Sequence, residues 1–381
     1  LNEPGQENDP RVDLLHETDQ PHSDEKSTFA LFKGPGEPWQ LQTTEVPKIT
    51  GSEILVRVLA CTVCGSDLHS IHGRRSVPVP SVLGHEIVGE IVAFGPSAPR
   101  YAVDGERLVV SDRICWSIVA NCDKCFYCTH GLPQKCSSAV KYGHHAYSSS
   151  SDLTGGFAEH CILLAGTKIM KLPLSMPLEV ACPISCATST SAAAIDAAKL
   201  ETGDTVVVLG SGMLGLTTCA MAKELEKCTV ICVERSAERR DLAMRFGADF
   251  AVDSSGLKEV IDKTTGHRGA DCIVECTGSN ELFSTAFDNI RIGGRLILVG
   301  AVFPQAPIPM VLERIVRRNL SLIGIHNYAP SHLMYAVDFL AKSSSSYPFA
   351  SLVEAWYRIQ NLNEAIDHAG RGTAIRIGVR P

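Results

Sequence analysis

The chain lacks several features that would settle its role at once. No apolar run reaches the ~18 residues of a membrane span, and the first residues lack the basic-then-apolar pattern of a secretory signal. Neither sign of charge dominates. The 35 Lys and Arg face 42 Asp and Glu, a net charge of −7, which offers no footprint for nucleic acid or an anionic membrane. A small-molecule substrate in a soluble, cytoplasmic protein is therefore the expectation. At 381 residues the chain exceeds one ordinary core, so two domains are expected.

Cysteine is abundant, with fifteen in the chain. In a small secreted domain these would read as disulfides. Here several, such as Cys228, Cys232, Cys272 and Cys276, lie in apolar strands or in metal-type spacings, and reduced thiols fit better.

Cys122, Cys125, Cys128 and Cys136 are separated by two, two and seven residues. Four thiolates so spaced can close a tetrahedron around one Zn²⁺ at ~2.3 Å per sulfur, leaving no place for substrate. The competing readings are an iron–sulfur cluster, whose common cysteine runs are spaced differently, and four buried thiols. Asn121, Asp123, Lys124, Gly131 and Pro133 give this lobe the turn chemistry of a loop folded on metal.

Residues 1–27 are acidic and polar, without apolar periodicity, and read as a disordered extension. From residue 28 short strands broken by Gly and Pro mark a β-rich domain, which holds the cysteine lobe at about 115–140. The texture changes near Ala187. Apolar runs at Val206–Leu209, Val230–Val233, Cys272–Val274 and Leu296–Val299 then alternate with helix-length stretches, the pattern of a doubly wound parallel sheet. The boundaries expected are 28–187 with 331–381 for the first domain and 188–330 for the second.

Gly210-Ser-Gly212-Met213-Leu214-Gly215 closes one of those strands and opens a helix. The first glycine permits the tight turn, the second lets backbone approach a pyrophosphate, and the third allows close helix–strand packing. Glu234 stands nineteen positions after Gly215, where a carboxylate accepts from a ribose diol. NAD is favoured over NADP, whose 2′-phosphate would meet a like charge. A Gly-rich turn with an unrelated surface Glu is the bland alternative.

Cys64-Gly-Ser66-Asp67-Leu-His69 and Gly84-His85-Glu86 offer ligands for a second metal. A catalytic zinc keeps three protein ligands and an open place, and Cys186 is the candidate third. Singly, His85 or Cys186 would more often be a packed structural residue; together they favour a site. Asp67 and Glu86 flank the ligands and can orient His85 or tune the metal.

These motifs, with Cys186-Ala-Thr-Ser-Thr190, resemble the zinc-dependent medium-chain alcohol dehydrogenases over roughly residues 28–381. The resemblance implies an α/β architecture: a GroES-like catalytic domain, a Rossmann domain, and a cleft between them. It implies two zinc ions, one catalytic on Cys64, His85 and Cys186 and one structural. It assigns Ser66 and His69 to proton transfer and Thr190 to the nicotinamide side. Arg239 falls beside the adenosine ribose, Arg376 on the pyrophosphate, and Gly300 joins the cofactor residues. Two departures stand out. Gly65 occupies a place where many members carry arginine, and Cys186 replaces the glutamate ligand of polyol dehydrogenases.

Arg74 and Arg75 follow His69, and Lys141, His144 and His145 form a second basic cluster. A guanidinium pair near a pocket suits a phosphate, phosphonate or carboxylate; a solvated surface pair is the alternative. The stretch around His69 and His85 resembles a phosphonate-catabolism-associated branch of the family, implying a substrate such as hydroxyethylphosphonate or phosphonoacetaldehyde. An L-threonine 3-dehydrogenase-like or general alcohol dehydrogenase activity is the enzymatic alternative. A non-catalytic NAD(H)-binding sensor, or a quinone reductase without zinc, would show broken ligand positions, and here they are intact. Family members pair through Rossmann edge strands, so a homo-oligomer, dimer or tetramer, is expected, with Arg295–Val302 and Ile308–Leu312 as the candidate edge.

Overall fold

The computed structural model describes residues 25–381. The acidic extension lies outside the described residues as far as residue 24. The first strand, Lys26–Leu31, starts just ahead of the expected boundary, and Ser27 is already buried.

Among the described residues, two large sheets carry the chain. One holds six strands, all paired in parallel, in the order Phe250–Val252, Thr229–Val233, Thr205–Leu209, Ala270–Glu275, Ile290–Leu298, Ser321–Gly324. Numbered along the chain this is 3-2-1-4-5-6, the doubly wound order. The central strand Thr205–Leu209 is buried at every position, as a β-branched run covered by helices on both faces must be. The order in which strands are laid down reverses between that strand and Ala270–Glu275, which opens a crevice at their carboxyl ends. Gly210, at φ 93°, makes the turn into the helix Met213–Glu226.

The second sheet is built around Ile54–Val63, antiparallel to Glu86–Phe94. The last strand, Arg376–Arg380, returns to it, setting Ile377 opposite Val63. That register brings Arg376 beside Cys64 across most of the sequence. The helix Ala187–Ala198 joins the halves. Its alanines, Ala192, Ala193, Ala194 and Ala198, are buried and let it pack closely on Met213–Glu226 and Pro330–Ser343.

One part of the expected dimer edge needs correction: Arg295–Leu298 belongs to a strand flanked on both sides, while Ile308–Leu312 lies outside the strands. Among the described residues the free edges of this sheet are Phe250–Val252 and Ser321–Gly324. Both are three or four residues long, too short to show a periodic signal. No single helix among the described residues is long and apolar enough to cross a membrane.

Tyr328 pins the two halves together. Its buried hydroxyl accepts from the Ile118 N–H at 3.1 Å and donates to the Ser185 carbonyl. Tyr328→Phe leaves both backbone groups unpaired, and we expect a loss of about 2 kcal/mol, read as a melting midpoint several degrees lower. An unchanged midpoint would remove this residue from the joint.

Candidate metal centres and cofactor cleft

The four-cysteine lobe has little apolar content to fold on, and Phe126, Tyr127 and Leu132 are exposed. Its thiols converge instead: Cys125 lies 3.5 Å from Cys128 and 3.9 Å from Cys136, and Cys136 lies 3.5 Å from Cys122. With bonds of ~2.3 Å, sulfurs in a zinc tetrahedron stand about 3.8 Å apart, so one ion fits and a multi-iron core does not. Backbone N–H groups of Ser137 and Cys128 push the Cys125 thiol down to about 5, and the Cys122 N–H points at Cys136 Sγ from 3.3 Å. Such N–H cradles hold thiolates ready for a cation.

The second cluster gathers three elements. Cys64 caps the helix Gly65–Ile71, His85 precedes the strand Glu86–Phe94, and Cys186 caps Ala187–Ala198. Their ligand atoms all lie within 4.8 Å of one another. Asp67 Oδ1 stands 3.0 Å from His85 Nδ1, and its Oδ2 accepts the Cys64 N–H at 2.9 Å. One carboxylate therefore orients two ligands and leaves Nε2 of His85 facing the cluster. Burial works against a charged imidazole, but the Asp67 carboxylate outweighs it and pushes His85 up to about 10. The Cys64 thiol is pushed well down by a hydrogen bond from Cys186 and by the Arg376 guanidinium, 3.7 Å from its sulfur.

Glu86 does something other than orient His85. It is fully buried, binds Arg376 through two hydrogen bonds of 2.8 and 2.9 Å, and accepts from Thr62 Oγ1 at 2.6 Å. Arg376 is thus held by Glu86 while lining the cleft.

That cleft has a volume of about 270 Å³ and runs between the two sheets. Ser66, His69 and the three-ligand cluster line one side; Thr190, Gly212, Met213, Leu214 and Gly300 line the other. A Cβ on Gly215 would fall 1.8 Å from the Gly210 carbonyl, and one on Gly300 would fall 2.4 Å from the Thr277 nitrogen. A Cβ on Gly212 would meet only open space, the room a ligand needs at a helix N-terminus. Glu234 accepts from the Ser211 N–H and hydroxyl at 3.2 and 2.9 Å, and from the Ser236 N–H at 3.1 Å. Burial pushes its carboxyl up, but these bonds win and hold it below the usual range. The Nδ1 of His69 is buried without a partner, an acceptor or donor that a cofactor ribose hydroxyl would satisfy.

Other sequence candidates separate. Arg75 lines the cleft and Arg74 does not; its guanidinium is exposed, 3.4 Å from His72 Nδ1. Arg239 reaches across to the carbonyls of Gly372 and Thr373 at 2.7 and 3.2 Å. Lys141 lines the cleft. His144 packs its ring 5.0 Å from that of His85, and burial pushes it well down, so it is a neutral spacer rather than a cation. His145 is not part of the cleft lining. Phe303, His326 and Asn327 also line it, from loops that carry no motif. The Phe303 ring lies against that of His69, tilted by 40° with centroids 4.1 Å apart.

Residues 50–174 match the alcohol dehydrogenase GroES-like domain, and residues 214–342 match the zinc-binding dehydrogenase model. The chain is 30% identical over 339 residues to an alcohol dehydrogenase of Geobacillus stearothermophilus, covering 88% of this chain and 94% of that one. An L-threonine 3-dehydrogenase of Pyrococcus horikoshii is 30% identical over 329 residues, 84% and 88% of the two chains. The crystal structure of an alcohol dehydrogenase from Thermotoga maritima matches with a TM-score of 0.88 at 28% identity, covering 94% of this chain and all of that one. The chain belongs to the zinc-dependent medium-chain alcohol dehydrogenase family. It is an oxidoreductase with a four-cysteine structural zinc site, a Cys-His-Cys catalytic zinc site and a nicotinamide cofactor.

Asp67→Asn removes the charge behind His85 and Cys64. We expect zinc affinity at the three-ligand site to fall about 10–100-fold while the four-cysteine site keeps its ion. Chelator competition with zinc content as readout checks this. Equal loss from both sites would contradict the assignment.

Proposed function

We propose that the enzyme uses NAD and moves the substrate's proton through Ser66 and His69. The observation that carries this is the position of Ser66 Oγ, 3.1 Å from the Nε2 of His85, in the same cleft as the unpartnered His69. When bound, zinc supplies Lewis acidity toward the alcohol oxygen, and the nicotinamide supplies a two-electron acceptor. Ser66 would accept the substrate's hydroxyl proton while giving up its own, and His69 would take up the proton so relayed and release it to solvent. Burial holds His69 below its usual value, with the Arg74 charge adding to the effect, so the ring is neutral near pH 7 with a nitrogen free to accept a proton and pass it on readily. Phe303 covers its face and limits water at that step.

Glu234, ionised at the crevice mouth, supports NAD over NADP. Arg239, held by Gly372 and Thr373 carbonyls, lies in the first turn of helix Ala237–Arg245, five residues past Glu234, and its charge acts on that carboxyl, which supports a place beside the ribose; Arg376 has a place toward the pyrophosphate. We assign 28–187 with 331–381 to the catalytic domain and 188–330 to the cofactor domain. We further propose a homo-oligomer formed through the Ser321–Gly324 edge; Val302, Val311, Leu312 and Val316, in the segment that leads into that strand, are exposed.

For the substrate, three readings stand: an uncharged alcohol, L-threonine, and a phosphonate-bearing alcohol. The relatives named above act, by name, on alcohols and L-threonine, so the phosphonate reading rests on the sequence around His69 alone. A non-catalytic sensor is disfavoured by the complete ligand and relay set.

His69→Gln should lower turnover about 10²-fold near neutral pH, with the deficit narrowing as pH rises and solvent base takes over. A flat ratio across pH would remove His69 from the proton path. The zinc-loaded enzyme should also favour NAD over NADP in kcat/KM, by about tenfold or more. NADH formation from none of the alcohols tried would sink the catalytic reading.

A further inference from the structure

The cleft lining contains three permanently or readily charged cations, Arg75, Lys141 and Arg376, and no Asp or Glu. Arg376 is neutralised by Glu86 through two hydrogen bonds. As thiolates on a zinc ion, Cys64 and Cys186 would be matched by its double charge. Lys141 and Arg75 are left without a counter-charge.

Lys141 is not a loose surface lysine. It sits in the short strand Val140–Lys141, paired with Val119 and Ala120, so its backbone is pinned at the base of the zinc lobe. Its ammonium donates to Asn327 Oδ1 at 3.4 Å, a weak and neutral partner. Burial, with the nearby Arg75 charge adding to it, pushes Lys141 down to about 8. Next to it, His326 accepts from Lys135 at 2.5 Å and is pushed down to about 4 by burial, so it is neutral and offers no counter-charge. Drawing two cations into one half-buried wall costs free energy that no carboxylate among the described residues lining the cleft repays. A ligand carrying negative oxygens would repay it through charge-assisted hydrogen bonds.

We infer that Lys141, with Arg75 and Asn327, forms a subsite for an anionic group carried on the substrate alcohol. This rests on the dehydrogenase reading above and narrows its substrate class to short alcohols with a carboxylate, phosphate or phosphonate at the far end. The cleft, at about 270 Å³, admits only a few carbons between the two ends once the nicotinamide shares it. Lys141 supplies a point charge and Arg75 a planar fork; Asn327 aims the ammonium. Arg74 has no part in it.

The test uses zinc-loaded enzyme saturated with NAD, so that cofactor phosphates cannot claim the subsite. Ethylphosphonate and propionate, which cannot be oxidised at an alcohol carbon, are titrated calorimetrically. In parallel, kcat/KM is measured for 2-hydroxyethylphosphonate, 3-hydroxypropionate and 1-propanol. We expect at least one anion to bind. Lys141→Gln should weaken that binding, and lower the anionic-to-neutral ratio of kcat/KM, by about tenfold or more; Lys141→Arg should restore most of both. Which anion binds assigns phosphonate or carboxylate. Binding of neither, or binding and a ratio unaffected by Lys141→Gln, overturns the subsite. Anion binding lost in Lys141→Gln without NADH from any alcohol would uphold the subsite and overturn the dehydrogenase reading instead.

Discussion

The buried pair of Glu86 and Arg376 is the constraint on which the catalytic half depends. Two charges withdrawn from water cost several kcal/mol each unless every lone pair and proton finds a partner. Here Thr62 and the Ile375 carbonyl complete the set. The pair joins residues 290 positions apart, so the last strand must be docked before the site beside Cys64 exists. Chain closure and ligand electrostatics are a single event, because the guanidinium that satisfies Glu86 also faces the Cys64 sulfur.

The two metal centres solve the same problem by different means. In the lobe, backbone N–H groups and the side-chain amide of Asn121 stabilise thiolates at the surface, and the metal replaces a core. In the cleft, stabilisation comes from charged side chains: Asp67 on two ligands, Arg376 on a third contact. The first arrangement is rigid and closed. The second is adjustable, since Cys64 and His85 are held by groups whose own charge can be altered without touching the ligands.

Legibility in the sequence followed locality. The four-cysteine lobe and the Gly210–Gly215 turn are short windows whose spacing alone dictates geometry, and the strand run Val206–Leu209 is apolar enough to be read as buried. The cluster of Cys64, His85 and Cys186 spreads over three elements and was legible through the order of motifs, not through any one of them. What Glu86 binds was not legible, because its partner is on the final strand and pairing across a sheet leaves no trace in nearby residues. Phe303, His326 and Asn327 sit in irregular loops where neither period nor turn chemistry marks a function. The edge strands Phe250–Val252 and Ser321–Gly324 are too brief to alternate, which led the expected edge one strand inward. Arg74 and Arg75 looked equivalent, yet adjacent residues leave a loop in different directions, and only one reached the cleft.

Cys186 stands at the junction, capping a helix packed against the cofactor-binding sheet and following the turn Cys182–Ser185 packed on the strand Glu86–Phe94, whereas Cys64 and His85 flank strands of the other sheet. The three-ligand cluster is therefore a rivet through the seam. Any rocking of one half against the other must bend the coordination sphere, and any tightening of that sphere must draw the halves together. Metal occupancy and the angle between the halves are, in this molecule, one mechanical variable.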